Sequence, residues 1–547
     1  MVNYDYIIVG AGSAGCVVAN RLSESGSHKV LVLEAGGSDQ RFWIQTPIGY
    51  GRTFFDDRVN WKYLTEKDAQ TNNRASYWPR GKVLGGSSSI NAMVYIRGQQ
   101  EDYEDWSNQD NPGWNWQDVF PYFKKMENLR HENLQRGDAN FHGTEGPLHV
   151  DDVSDRVHAL CDNFIKAGQE LGQSFNPDFN GERQEGVGIY QLTTRNARRM
   201  SAARAYLRPA LKRRNVDLIT GALATKIVFK DAQAAGVEFM RHNRKRTAWA
   251  GREVILCAGA INSPQLLQLS GIGDPARLKD LGIEVVHANK MVGQNLQDHL
   301  GISHFYRSRV ATLNDELYPW PGKLLAGLKY VLLRKGPLSL SINQAGGFIR
   351  TRENLSRPNM QLYFSPVSYL KAPTDTRPLM NPDPFPGFLI GLQPLRPSSR
   401  GYLYIDSAEA TAPPKIHPNY LSTQKDVNEM LEGVRFIRRL TATDALSGVI
   451  EKEIIPGAEI TSDQALIEDI RARCETVFHP CGTCKMGSDA NASVVDPKLK
   501  VHGVRGLRVA DASIFPSITS GNINAPTMMV GEKAADLILE RCLHDHC

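Results

Sequence analysis

Cysteine is scarce in this chain, neither sign of charge dominates, and no long hydrophobic run occurs. Each shortage removes a class of function. Eight cysteines in 547 residues (Cys16, Cys161, Cys257, Cys474, Cys481, Cys484, Cys542 and Cys547) are too few for a disulfide framework of the kind that holds small secreted domains together. Cys481 and Cys484 have CxxC spacing, but zinc takes four ligands, and no second CxxC or HxxxH completes the set. Small core-filling thiols are the expected reading, and no metal is predicted. Lys and Arg number 64 against 59 Asp and Glu, a net charge of +5 dispersed along the chain. Nucleic acid is therefore not an expected partner. No stretch of 18 or more apolar residues is long enough to span a bilayer, and no basic leader with an apolar segment opens the sequence, so a cytoplasmic protein is expected.

What is present is a globular composition, 41% hydrophobic and 22% charged, at a length where one core stops growing and two structural units become the rule. The N-terminal residues read strand, turn, helix, strand: Tyr6 to Val9 is apolar, GAGSAG (Gly10 to Gly15) is the turn, Cys16 to Leu22 is helical and Val30 to Leu33 is apolar again. In such a unit Gly10 makes the tight turn, Gly12 admits a pyrophosphate, and Gly15 lets helix and strand pack closely. The helix start then offers free N–H groups to phosphate. Glu34 follows Gly15 by 19 residues, placed to accept hydrogen bonds from ribose hydroxyls. A glycine-rich turn without a ligand is the competing reading, weakened by the flanking strands and the acidic residue.

A second glycine cluster, PRGKVLGGSSSINAMVYIRG (Pro79 to Gly98), offers bare backbone that could lie along a pyrophosphate or a flavin ring. An ordinary serine-glycine loop has the same composition.

Four blocks together resemble the glucose-methanol-choline (GMC) oxidoreductases, closest to their bacterial choline-dehydrogenase-like alcohol dehydrogenases. These are GAGSAG with Glu34, the Pro79 block, AGAINSPQLLQLSGIG (Ala258 to Gly273), and the pair HPCGTCKMG (His479 to Gly487) and DASIFPSITSGNINAPTMMVGEKAA (Asp511 to Ala535). The resemblance implies an α/β fold, a Rossmann-like FAD-binding domain with an inserted α+β substrate domain built on an antiparallel sheet. It implies FAD-domain segments at 1–155, 200–298 and 475–547, with substrate-domain segments at 156–199 and 299–474. Cofactor contacts are expected from Gly10, Gly12, Ser13, Gly15, Glu34, Ala35, Gly85, Ser87, Asn91, Ala92, Met93, Val94, Ala258, Asp511, Ala512, Asn522, Asn524 and Ala525. Family members with covalently attached FAD carry histidine where this chain has Ile90, so a non-covalent flavin is expected.

Oxidising an alcohol removes a hydride and a proton, and a base of near-neutral pKa must take the proton. His479 sits between the strand-like Thr476 to Phe478 and a Pro-Cys-Gly turn. Alone it would more often be structural; the resemblance places the family's catalytic histidine on it. Asn524 is the predicted partner that fixes the substrate oxygen, because an amide donates a hydrogen bond without accepting a proton. Pro526 is expected to begin a helix running to about Leu543, with Met528, Met529, Ala535, Ile538 and Leu539 as its apolar stripe. Its N-terminus, if aimed at the flavin pyrimidine ring, would stabilise the reduced ring's negative charge; a plain surface helix is the alternative.

The middle of the chain alternates short strand-like runs (Met360 to Phe364, Phe388 to Leu392, Gly401 to Ile405) with loops, which suits an antiparallel sheet over the site. Lys371 to Gly387 holds five prolines and is expected either to border the substrate entrance or to be a surface connection. Gln344 stands where the resemblance puts a choline-binding glutamate. The neutral amide favours an uncharged primary alcohol as substrate. Gly322 to Gly336 reads as an amphipathic helix that covers its own core or, less favoured, touches a membrane to reach quinone. The expected activity is an alcohol dehydrogenase delivering electrons to a quinone or other non-oxygen acceptor. Its rivals are an oxidase that makes hydrogen peroxide from O2, a choline dehydrogenase, and a flavin-containing lyase. Oligomeric state is not legible.

Overall fold

The computed structural model describes residues 3–129, 139–369 and 381–540. Two seven-stranded sheets organise them. In the first, Val216–Thr220, Val30–Glu34, Asn3–Val9 and Arg244–Leu256 lie side by side and parallel, with Leu507–Val509 added beyond. Gln233–Arg241 and Leu223–Lys230 continue it as an antiparallel meander. Val30–Glu34 is buried at every position, as expected of a parallel strand covered on both faces.

Ser13–Leu22 packs on this sheet, and Asn524–Leu539 packs on Ser13–Leu22. The C-terminal helix is not a surface helix with one apolar stripe, since Glu532, Lys533 and Asp536 are buried with its methionines. Glu532 is held by a two-point pairing with Arg21 (2.8 Å each) and by the Tyr206 hydroxyl at 2.8 Å. Buried charge survives there because it is paired and hydrogen-bonded. Cys481 and Cys484 are fully buried in the same core, where burial pushes both thiols up.

The second sheet is antiparallel throughout, in the order Ile450–Ile455, Leu300–Ser308, Gly387–Pro394, Met360–Ser365, Ala345–Ile349, Gly186–Ile189, with Glu475–Thr476 as a seventh strand paired to the start of Leu300–Ser308. Helices Leu160–Glu170 and Gln424–Thr441 cover one face with Phe164, Ala167, Met430, Val434 and Ile437. On the other face Ser303, Gly391 and Tyr363 stand side by side across three strands. Two of the three expected runs are in this sheet. The third is not: Tyr402–Tyr404 pairs only with Lys415–His417, as a separate ribbon. Of the proline-rich segment, 371–380 lies outside the described residues, and 381–387 leads into Gly387–Pro394 without lining the cavity described below.

Candidate active site

One cavity of roughly 930 Å³ extends from the first glycine turn to His479. At the turn, Gly10 has φ of +100°, and a Cβ there would stand 2.5 Å from the Cys257 carbonyl oxygen. At Gly15 it would stand 2.0 Å from the Gly10 carbonyl oxygen. Only glycine closes these two contacts. Gly12 differs, since a Cβ there meets nothing nearer than 3.7 Å; its bare face belongs to the cavity. The helix that starts at Ser13 has no side-chain cap, which leaves its first-turn N–H groups for an anion.

Glu34 is buried, with Oε2 accepting from the Ala11 N–H (2.8 Å) and Oε1 from the Gly36 N–H (2.7 Å). Burial pushes its pKa up to about 7 against the pull of those bonds. Each oxygen keeps a second lone pair for a ribose hydroxyl.

The second glycine cluster closes onto the first. A Cβ on Gly86 would lie 2.7 Å from the Gly12 Cα, so the two backbones meet beside the cavity. Beyond it Met93 adopts φ of +65°, outside the usual range for a side chain of its kind. It is held by Asn91, whose Oδ1 accepts from the Met93 N–H (3.1 Å) and from Arg199 (2.6 Å). Asn91 thus shapes the wall as well as lining it. Asp511 ties two segments together, accepting from the Gly259 N–H (2.8 Å), the Ser263 hydroxyl (2.6 Å) and the Ser513 N–H (2.8 Å).

Ser13, Ala35, Ser87, Ala92, Val94, Ala258 and Ala512 also line the cavity; Gly15, Gly85, Ala525 and Gln344 do not. Gly15 and Gly85 are packing glycines; the Gly85 N–H donates to the Ala11 carbonyl at 2.7 Å. Ala525 is buried within its helix. Gln344 points the other way, its Oε1 accepting from the His158 N–H at 2.8 Å. Consecutive residues entering a strand face opposite sides, so it is Asn343 that reaches the cavity.

At the catalytic end the strand is shorter than expected: Glu475–Thr476 only, after which Phe478 turns the chain with φ of +72°. The turn is held from both sides. Arg80 donates to the Phe478 carbonyl (2.7 Å), and Asp298 accepts from the His479 N–H (2.7 Å) and from the Thr476 and Tyr420 hydroxyls (2.5 Å each).

The imidazole of His479 then lies in a defined chain. His299 Nε2 is 2.9 Å from the Leu395 carbonyl oxygen, which can only accept, so the His299 proton sits on Nε2 and its Nδ1 is an acceptor. His479 Nδ1, at 3.0 Å, donates to it. Nε2 of His479 is therefore left with a lone pair, and the Asn522 amide donates to it at 3.1 Å. Burial holds the His479 pKa well below the usual imidazole range, aided by His299 and Arg80; burial also takes His299 down to about 4. The pair is neutral at physiological pH.

The amide facing His479 is thus Asn522 and not the predicted Asn524. Asn522 precedes the helix, and its Oδ1 accepts from Gln361 (3.3 Å) on the antiparallel sheet. Asn524 is the first residue of the helix and turns to the other end of the site, its Oδ1 accepting from Ser13 at 2.8 Å. Sequence reasoning also missed His299, Asp298 and Arg80. The adjacent Asp298 and His299 were the available signal, but nothing local connects them to a residue 180 positions on.

A glycine-turn parallel sheet, an antiparallel sheet opposite it and a neutral buried imidazole between them define a dinucleotide-dependent oxidoreductase. The chain belongs to the GMC oxidoreductase family: it matches the N-terminal part of that family over residues 4–301 and the C-terminal part over 397–531. It is 44% identical over 542 residues to an alcohol dehydrogenase [acceptor] of Pseudomonas putida, covering 98% of this chain and 96% of that one. It is 42% identical to the mitochondrial choline dehydrogenase of Homo sapiens, covering 98% and 89%. Among solved structures, formate oxidase of Aspergillus oryzae RIB40 superposes with a TM-score of 0.91 at 27% identity, 98% of each chain covered. Pyridoxine 4-oxidase from Mesorbium loti superposes with a TM-score of 0.87 at 29% identity, with 99% and 100% covered. The uncapped helix start, the bare Gly12 and Gly86 surface and the acceptor Glu34 fit FAD as the bound dinucleotide.

Proposed function

We propose that this protein is an FAD-dependent alcohol dehydrogenase that oxidises an uncharged primary alcohol to its aldehyde and passes the electrons to a quinone or other non-oxygen acceptor. FAD, when bound, supplies the hydride acceptor. Gly12, Ser13, Glu34, Gly86, Ser87 and Asp511 would hold it. His479 Nε2 takes the hydroxyl proton, and the Asn522 amide orients the substrate oxygen beside it. Asp298, Arg80 and His299 keep the imidazole in place and in the right tautomer. The observation that carries this reading is the lone pair of His479 Nε2, presented by the His299 chain into the cavity that begins at the glycine turn.

A non-covalent flavin is favoured by Ile90, which lines the cavity with a side chain that forms no bond to a ring. The uncharged substrate is supported by the catalytic-end walls, Tyr50, Phe54, Phe305, Ile342, Tyr363 and Phe478; Gln344 does not bear on it. The relative named for an unspecified acceptor supports the non-oxygen acceptor. The two sheets support the domain division given above, and a cytoplasmic location is retained with it. Among the described residues no helix is long and apolar enough to cross a membrane.

An anaerobic screen of flavin bleaching over hexanol, benzyl alcohol and choline tests the reaction class and the substrate together. Bleaching by hexanol or benzyl alcohol ahead of choline is expected. Preference for choline would overturn the substrate, and no bleaching by any alcohol would overturn the reaction.

A further inference from the structure

Helix Trp320–Leu333 is mounted the wrong way round for a core helix. Only Ala326 and Tyr330, one turn apart, are buried. Trp320 is 73% exposed, Leu325 66%, Leu332 73% and Leu333 63%, with Leu324, Leu328 and Val331 near 50%. Scattered apolar residues on a surface need no explanation, whereas six of these seven share one side of the helix and make a contiguous patch, with Leu333 at its C-terminal end outside it. Phe42, itself exposed, extends the patch by packing edge-on to Tyr330 with centroids 6.3 Å apart.

The arrangement is regular. At about 100° per residue, Trp320, Val331, Leu324, Leu328, Leu332 and Leu325 fall within an arc of roughly 140°, with Ala326 and Tyr330 opposite its centre. Lys323 and Lys329 flank the arc, one on each side, both exposed, and Lys335 follows the helix. The Tyr330 hydroxyl donates to the Ala197 carbonyl (3.1 Å), which brings the exposed Arg195 and Arg198 alongside. The acids of the neighbouring segment, Asp315 and Glu316, lie on the preceding helix Leu313–Leu317.

We propose that this face docks the enzyme on an anionic lipid bilayer, with the leucine arc lying in the headgroup–acyl boundary and the flanking lysines and arginines meeting lipid phosphates. An amphipathic helix with a cationic margin and a Trp/Leu face is what such a surface takes up. A symmetric pairing with a second copy would set the same cationic margin against itself, which lipid avoids. Beneath the helix, the apolar cluster of Ile48, Leu313, Leu338 and Ile342 continues to Tyr50, Phe54 and Phe478 in the catalytic wall. The docked face is therefore joined by apolar packing to the end of the site where an apolar alcohol or membrane-dissolved acceptor reacts. That last consequence rests on the proposed function; the docking does not.

Flotation of the purified FAD-loaded protein with vesicles of phosphatidylcholine, alone or mixed with phosphatidylglycerol, tests the docking without any turnover. Co-flotation is expected with the mixed vesicles, at least about tenfold above phosphatidylcholine alone and weakened by salt. The double variant Leu325→Glu/Leu332→Glu is expected to lose it while keeping wild-type flavin reduction by a soluble alcohol. Absence of flotation, or equal flotation by the variant, overturns the proposal. A wild-type dimer by light scattering that becomes a monomer in the variant, with no lipid binding by either, overturns it in favour of a second copy.

Discussion

The two ends of the cavity are built by different means. At the glycine turn the groups that face a ligand are backbone N–H donors, bare Cα atoms and one carboxylate whose oxygens are already fixed by the chain. At His479 they are side chains whose orientation depends on a relay from the Leu395 carbonyl through His299, and on an amide delivered from the start of the last helix. In the proposed function one end holds and the other reacts. Changes at the first should alter occupancy, and changes at the second should alter rate with occupancy intact.

The sharpest separation is expected from His479→Ala. Removing a general base costs roughly 10²–10⁴-fold. Stopped-flow reduction by alcohol should fall by that factor while the flavin absorbance per protein stays at the wild-type value; loss of flavin would erase the distinction between the ends. Next come the two asparagines. Asn522→Ala removes a donor at the reacting oxygen and should slow reduction on the order of 10²-fold. Asn524→Ala, two residues on, should leave reduction near wild type and act instead on flavin retention through Ser13. Equal rate losses in the two would put Asn524 back at the catalytic centre.

Glu34→Ala probes the opposite end. It leaves the Ala11 and Gly36 N–H groups without their acceptor, at a cost of roughly 1–3 kcal/mol for each that stays buried and unpaired. Flavin release measured by dialysis should accelerate, and the reduction rate of the molecules still loaded should not change. His299→Phe removes the acceptor of the His479 Nδ1 proton; orienting partners of this kind are worth roughly 10–100-fold, again with flavin retained.

The smallest effect is on pH. In the proposed reaction the base is the neutral His479 imidazole, and burial depresses its pKa. Protonation therefore sets in at lower pH than for an ordinary histidine. Reduction should hold steady as pH falls through 6.5 and decline only below it, whereas half-loss at 6.5 would mean a solvated His479.

Legibility in the sequence followed locality. Gly10, Gly12, Gly15 and Glu34 could be read because the turn, the helix and the carboxylate are neighbours in the chain, and their geometry follows from bond lengths. His479 could be singled out by the block around it. Asn522 and Asn524 could not be told apart, because which one faces the imidazole depends on where the helix begins. That start carries no Ser, Thr or Asp cap to mark it. His299 was silent, since its meaning comes from a carbonyl 96 residues away. Gln344 was misplaced by one step of strand alternation. In Trp320–Leu333 the periodicity was plain, but a pattern tells that one side is apolar and not what lies against it. The C-terminal helix makes the converse point, burying Glu532 because Arg21 and Tyr206 wait for it.

Ser13 and Asn524 touch across 511 positions of chain. A chain that stops after the glycine turn holds one end of the cavity without the imidazole and amide of the other, which lie at positions 479 and 522. A fragment that lacks either segment therefore lacks one wall of the same cavity, and the contact between Ser13 and Asn524 is where the two segments join.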